Sequence, residues 1–276
     1  MYPQAHDDGG VDRLPGRHGA TDRIHTDYGS IGGAYGRTRV PDPRIASWIR
    51  WGLGDARTVV NIGAGLGAYE FADLEVTAVE PAAAMIAARP PGAAPCILAA
   101  AESLPFPDAA FDAAMGILTV HHWSDATAGL SELRRVARRR VVLFTWDPAV
   151  DDQLWLTTEY LEAIRERDRA IFPAIPSILA GLWPHRGAAV DRVPIPGDCT
   201  DGFLGAWWRR PEAYLDPAIS NGISSFRELG PQVIGPGLQR LAADLESGEW
   251  ERRFGSLLDL DELDLAYRLV TVYLEP

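Results

Sequence analysis

The sequence predicts an α/β chain built on a doubly wound, mostly parallel sheet, and three observations carry that expectation. A β-branched run, Thr58-Val59-Val60-Asn61-Ile62, reads as a strand buried on both faces and empties into Gly63, Gly65 and Gly67. Short apolar runs then alternate with amphipathic helical segments as far as Asp147, the pattern of parallel strands joined by crossover helices. The 276 residues are 47% hydrophobic and 23% charged, and a chain of this size buries roughly 75% of its unfolded surface, so the core needs no staples.

Residues 1 to 25 lack apolar periodicity and are expected to form a mobile arm, leaving 26–276 as a single domain. From Tyr28 to Arg37, Tyr28 and Tyr35 alternate with glycines, a composition that suits either a loop over a site or simple loop packing. A helix follows, with Asp42 as cap, Pro43 at its first position, Ile45, Trp48, Ile49 and Leu53 on one face, and Gly54 at its end. After the strand Thr58 to Ile62 and its glycine loop, Ala68 to Asp73 reads as a short helical segment and Glu75 to Val79 as a second strand ending in Glu80-Pro81. A helix over Ala82 to Arg89, strands over Cys96 to Ala99 and Phe111 to Leu118, a helix over Thr127 to Arg139 and a strand over Val141 to Thr145 continue the alternation. In such sheets a ligand lies beyond the carboxyl ends of the strands, so the residues just after each strand are the ones to examine.

Past Asp147 the rhythm stops. Leu154, Leu161 and Ile164 mark a long helix, residues 173–184 are punctuated by proline, and Ala188 to Pro196 reads as a strand. The turn Asp198 to Asp201 leads into a helix bearing Phe203, Trp207 and Trp208, and two adjacent tryptophans on a helix cannot face the same way. One belongs to the core, and the other is free to reach a pocket or stack on an arginine. A helix around Leu238, Leu241 and Leu245 and a strand near Ala266 to Leu274 close the chain. Most of 148–255 is read as a lid or acceptor-binding insertion on the same sheet.

The net charge of −12 argues against a phosphate-tracking surface, hence against nucleic-acid partners. Arg134, Arg135, Arg138, Arg139 and Arg140 form one basic cluster, read as a solvated face at a helix end where cations suit the dipole. No run of about 18 apolar residues exists and the stretch Met1 to Arg23 is polar, so the expectation is a cytoplasmic protein without membrane contact. Cys96 and Cys199 show no CxxC spacing, which suggests neither a disulfide framework nor a metal site.

The loop Gly63-x-Gly65-x-Gly67 lets a nucleotide-bearing ligand lie against bare backbone, and Glu80 is placed to accept hydrogen bonds from ribose hydroxyls. Taken alone, these residues leave a plain turn, a dinucleotide site and a methyl-donor site all open, because Gly63 to Ala68 also satisfies the G-x-G-x-x-A fingerprint. Three later stretches select among them: Ala101-Glu102-Ser103-Leu104-Pro105-Phe106-Pro107-Asp108-Ala109-Ala110-Phe111-Asp112, Val120-His121-His122-Trp123-Ser124-Asp125, and Leu130-Ser131-Glu132-Leu133-Arg134-Arg135-Val136. In that order, from about Tyr28 to Asp147, they resemble the class I S-adenosylmethionine-dependent methyltransferases, especially the branch containing the ubiquinone/menaquinone-type and trans-aconitate-type small-molecule enzymes.

The resemblance implies a Rossmann-like sheet of seven strands with an antiparallel C-terminal strand. It implies S-adenosylmethionine as cofactor, S-adenosylhomocysteine as product, no metal, and a small organic acceptor taking the methyl on oxygen, nitrogen or carbon, in a monomer or homodimer. Gly63, Gly65 and Gly67 resemble the residues flanking the methionine part of the cofactor, Glu80 the ribose-binding acid, and Ala101 with Glu102 the pair bordering adenine. Leu118 and His121 resemble positions near the reactive end, and Tyr28 and Tyr35 resemble tyrosines near the methyl. Asn61 stands where the family has Asp or Glu; its carbonyl still accepts from an ammonium, without charge. For an acceptor that loses a proton, His121 and His122 are the first candidates for a base and Asp147 the next. A dinucleotide-dependent oxidoreductase and a non-catalytic S-adenosylmethionine-binding protein remain the alternatives.

Overall fold

The computed structural model describes residues 39–150 and 154–275; the expected arm over residues 1–25, with Tyr28 and Tyr35, lies outside the described residues. Helix α1, Pro43–Leu53, begins where expected. The Asp42 carboxylate accepts from the Arg44 backbone N–H at 2.9 Å, and Ile45, Ile49, Gly52 and Leu53 face inward. Strand β1, Thr58–Ile62, runs parallel to β2, Glu75–Glu80, on one side and to β4, Phe111–Ile117, on the other. Short helix α2, Ala83–Ala87, leads to edge strand β3, Cys96–Leu98, and helix α3, Ala126–Val136, leads to β5, Ala137–Trp146.

The last strands complete the sheet. β6, Gly187–Arg192, and β9, Tyr267–Tyr273, join it in the order β3-β2-β1-β4-β5-β9-β6, with β9 antiparallel to both its neighbours. A separate two-stranded piece pairs β7, Ile195–Pro196, with β8, Glu262–Leu263. The seven-stranded, mostly parallel sheet with an antiparallel C-terminal strand is therefore the architecture expected, and its order reverses beside β1, which places the ends of β1 and β4 at the switch point.

Several local expectations are corrected. Residues 68–73 form turns instead of a helix, because Tyr69 is held at φ +62° with its hydroxyl donated to Asp201 at 2.8 Å, a conformation that cannot propagate a right-handed helix. The helix expected through Arg139 stops at Val136. Arg138, Arg139 and Arg140 lie at the start of β5, drawn to Asp112 and Asp55, so only Arg134 and Arg135 occupy a last helical turn. The strand expected over Ala188 to Pro196 divides into β6 and β7. The long helix expected from Leu154 is a π-turn, Leu156–Tyr160, followed by α4, Glu162–Ile171, because Leu161 leaves the helical region at φ −130°, ψ 55°.

Helix α5, Ile175–Gly181, packs on α3, and four helices follow in the insertion: α6, Pro217–Ser220, α7, Ser224–Leu229, α8, Pro231–Ser247, and α9, Glu249–Phe254. The segment expected as a helix with Phe203, Trp207 and Trp208 is a single 3-10 turn, Leu204–Trp207. One apolar cluster runs from α1 through Phe144 and Trp146 into Trp155, Trp208, Tyr214 and Trp250, so the insertion shares a core with one face of the sheet. The indole N–H of Trp155 donates to the Trp208 carbonyl at 2.8 Å, and that of Trp208 to the Ile195 carbonyl at 2.9 Å, which satisfies the polar edge of two fully buried rings. Among the described residues no helix is long and apolar enough to cross a membrane.

Candidate active site

The loop after β1 is shaped by backbone. Gly63, Gly65 and Gly67 have φ of +67°, +52° and +93°, and a Cβ on Gly63 would stand 1.9 Å from the Thr119 hydroxyl oxygen. The amides of Gly63 and Ala64 both donate to the Val79 carbonyl, at 2.9 and 3.0 Å, which folds the loop against the end of β2. Beneath it Arg89 donates to the Gly65 carbonyl at 2.9 Å and pairs with Glu70 at 2.6 Å, both side chains nearly inaccessible, while a Cβ on Gly67 would press on Glu70. Arg89 and Glu70 are supports that the sequence reading did not single out. Their spacing of 19 residues matches no local pattern.

Glu80 is buried at the tip of β2, its carboxylate accepting from Gly65 N–H at 2.9 Å and Ala82 N–H at 3.0 Å. Burial pushes its pKa up, against the pull of those two donors and of Arg89. Asn61, also buried, ends on the same wall. Ala101 and Glu102 follow across the cleft. Glu102 accepts from Ser124 Oγ at 2.8 Å and Asp125 N–H at 3.1 Å, and these bonds outweigh burial and lower its pKa.

These residues line one cleft of about 1510 Å³, with Gly63, Gly65, Glu80, Asn61, Ala101, Glu102 and Leu118 on its walls; Gly67 shapes the turn from behind. A second, inner cavity of about 80 Å³ lies between the sheet and the insertion. Six residues line both: Arg39, Leu118, His121, His122, Arg167 and Phe172. Leu118 is held at φ +49°, with its N–H donating to the Phe144 carbonyl at 2.8 Å, and such left-handed strain of about 1–2 kcal/mol in a non-glycine residue concentrates where the fold over-determines it.

The two histidines differ. The His121 ring stacks on Phe172 with centroids 3.8 Å apart, and its Nδ1 has no hydrogen-bond partner among the described residues. Burial, then the charges of His122, Arg167 and Arg39, push its pKa well below the ordinary 6.5. His122 is exposed and lines the cleft, where desolvation, then the charges of Arg167, Arg39 and Arg227, lower its pKa to about 4. Asp147 is not brought to either cavity. Its carboxylate accepts from Ala149 N–H at 3.1 Å and caps its own turn. Trp208 is core and Trp207 stacks under Arg210 at 4.2 Å, so neither lines a cavity.

Arg39, Arg167 and Phe172 were not singled out from sequence. Arg39 pairs with fully buried Asp201 at 2.6 Å, and Asp201 also takes the Tyr69 hydroxyl, tying the chain before α1 to the turn after the glycine loop and to the insertion. Asp42 repeats the device, accepting from Arg44 and from Thr200 N–H, and the donors hold it at a pKa of about 2 against the effect of burial.

The profile of the methyltransferase domain family matches residues 60–145, which span β1 through β5 and most of the cleft wall. A solved structure from Anabaena variabilis ATCC 29413, a candidate methyltransferase from an antibiotic biosynthesis pathway, is 32% identical; the alignment covers 86% of this chain and 99% of that one, with a TM-score of 0.79. The chain belongs to the S-adenosylmethionine-dependent methyltransferases. Other similarities of this methyltransferase are more limited. The YcgJ protein from Bacillus subtilis, 18% identical over 85% of this chain and 99% of its own, shares the fold with a TM-score of 0.52. The uncharacterized protein YafE of Escherichia coli (strain K12) is 41% identical over 71 residues, so the methyltransferase matches about a third of that curated relative, 33%, with 24% of its own length.

Proposed function

We propose that the cleft holds S-adenosylmethionine along the glycine loop, Glu80 and Ala101–Glu102, and that the inner cavity receives a small organic acceptor. The observation that carries this reading is the shared wall: His121, His122 and Leu118 border both spaces, so a donor in one and an acceptor in the other meet there. The donor set fits the cofactor by its chemistry. A buried carboxylate, Glu80, suits a ribose diol, the Asn61 carbonyl suits an ammonium, and small Ala101 leaves a flat edge for a purine. When bound, the cofactor supplies an electrophilic methyl on a sulfonium.

The chain's own residues would align and dry the site. Phe172, Leu118 and His121 form its dividing wall, and near-attack alignment with water excluded supplies several kcal/mol of a barrier. An acceptor atom held against Leu118, His121 and Phe172 would face the methyl that the cofactor supplies from the cleft. Where the acceptor carries a proton, His121 is positioned to take it, because its Nδ1 has no hydrogen-bond partner among the described residues and its ring borders both spaces. The support for an enzyme over a dinucleotide-binding or purely binding protein is the second space beside the cleft, bordered by the same Leu118, His121 and His122.

Calorimetry and a labelled-methyl screen test the reading. Binding of S-adenosylhomocysteine with no response to NADH or flavin is expected, and the reverse preference would overturn it. Once an acceptor is in hand, His121→Ala should lower kcat by roughly 10²–10⁴-fold with little change in cofactor Kd. Equal losses in both would make His121 a binding residue.

A further inference from the structure

Gly65 stands in the glycine loop with no side chain of its own, and two oppositely charged side chains hold it. Its N–H donates to Glu80 Oε2 at 2.9 Å, and its carbonyl accepts from Arg89 Nη1 at 2.9 Å. Arg89 is itself fixed: Nη2 donates to Glu70 Oε1 at 2.6 Å and to the Ala94 carbonyl at 3.1 Å, while Glu70 Oε2 accepts from Ala94 N–H at 2.8 Å. The Arg89 and Glu70 side chains are 6% and 8% exposed, and neither lines the cleft. The route from Arg89 to a ligand in the cleft therefore runs through Gly65 and Glu80, which do line it.

We propose that Arg89 is a positioning residue for S-adenosylmethionine, holding Gly65 and the Glu80 carboxylate as one unit from behind the loop. The proposal rests on Glu80 receiving the ribose. A carboxylate accepts hydroxyls best when charged, and a buried one stays charged where donors and a cation offset its desolvation. Burial pushes the Glu80 pKa up, while Gly65 N–H, Ala82 N–H and the charge of Arg89 push it down. Burial, with the charges of Glu80 and Glu70 against that of Arg89, raises the pKa of Cys96 on β3, so its thiol stays neutral. Asn61 on β1 brings no charge, and among the described residues Arg89 supplies the positive charge that acts on Glu80. The cleft's other charged residues, Arg39, Glu102, Asp125, Arg167 and Glu228, and its two histidines are common to every variant below. Without the charge of Arg89, Glu80 takes up a proton at higher pH and loses part of its hold on the ribose and on Gly65.

The test is calorimetric titration of the intact chain with S-adenosylhomocysteine at a series of pH values. Affinity should fall as pH drops through the Glu80 pKa, and Glu80→Gln should weaken binding at neutral pH and flatten that acid limb. Arg89→Met alone would strand a buried carboxylate, so Glu70→Gln is introduced with it. In this neutral pair the midpoint of the limb should move up by about one pH unit, the loss of affinity growing as pH falls. Should that pair fold poorly, Glu70→Gln with Arg89→Gln repeats the measurement. Arg89→Lys keeps the charge and gives up the fork, so its midpoint should stay near that of the unaltered chain. A midpoint unmoved in the neutral pair, a loss equal at every pH, or a midpoint that shifts as far with lysine would each overturn the proposal. Failure of the unaltered chain to bind S-adenosylhomocysteine, or unchanged affinity in Glu80→Gln, would instead overturn the reading of the cleft on which the proposal stands.

Discussion

The two walls of the site are built by different physics. Residues 58–146 form the proposed donor wall mostly with backbone: three glycines at positive φ, two amides on the Val79 carbonyl, and one carboxylate at a strand tip. The proposed acceptor wall is built of side chains: Phe172 stacked on His121, Trp146 edge-on to Phe172, and Arg39 and Arg167 held by buried or half-buried acids. A ligand common to a whole family is read by backbone, whose geometry tolerates few residue types. A ligand particular to one member is read by side chains, which substitution changes without disturbing the fold.

The largest effect expected from this contrast is on stability in the insertion. Trp208→Ala removes a fully buried ring and its bond to Ile195, and should cost about 3–5 kcal/mol by chemical denaturation while the folded fraction still binds S-adenosylhomocysteine. Gly63→Ala should cost roughly 2–4 kcal/mol, because left-handed φ and the Thr119 hydroxyl both oppose a Cβ, and should weaken S-adenosylhomocysteine binding beyond what the lost stability explains. Glu80→Ala should weaken cofactor binding by roughly 1.5–3 kcal/mol, and an unchanged Kd would remove Glu80 from the site.

The smallest effect is a pH dependence. The pKa of His122 in the folded chain, about 4, lies below its ordinary 6.5, so as pH falls the unfolded chain takes up the proton first. The stabilising contribution of neutral His122 is fully present above pH 6.5 and is lost as pH falls toward 4. The urea midpoint should therefore decline across that window, and His122→Gln should make the decline shallower; an identical slope would place the titration elsewhere.

The donor wall was legible in the sequence because its constraints are local. Glycine at 63, 65 and 67, an acid ending the next strand and a helix cap at Asp42 are each demanded by a turn, a tip or a first amide, and the structure places them there. The acceptor wall was not legible, since Arg39, Arg167 and Phe172 meet across more than 130 residues and nothing in their spacing distinguishes them from solvated residues. The misassigned segments have the same origin. Tyr69 turns left-handed to reach Asp201, and Arg138 to Arg140 extend as strand toward Asp55 and Asp112, so distant partners override local helix propensity.

The central claim is that donor and acceptor spaces meet at Leu118, His121 and His122. A crystal structure with S-adenosylhomocysteine tests it most directly. The account predicts ribose hydroxyls on Glu80, the base beside Ala101 and Glu102, and the sulfur facing His121 with the arginine-lined cavity open beyond it. A ligand whose ribose is away from Glu80, or whose amino acid end fills the inner cavity, would contradict it.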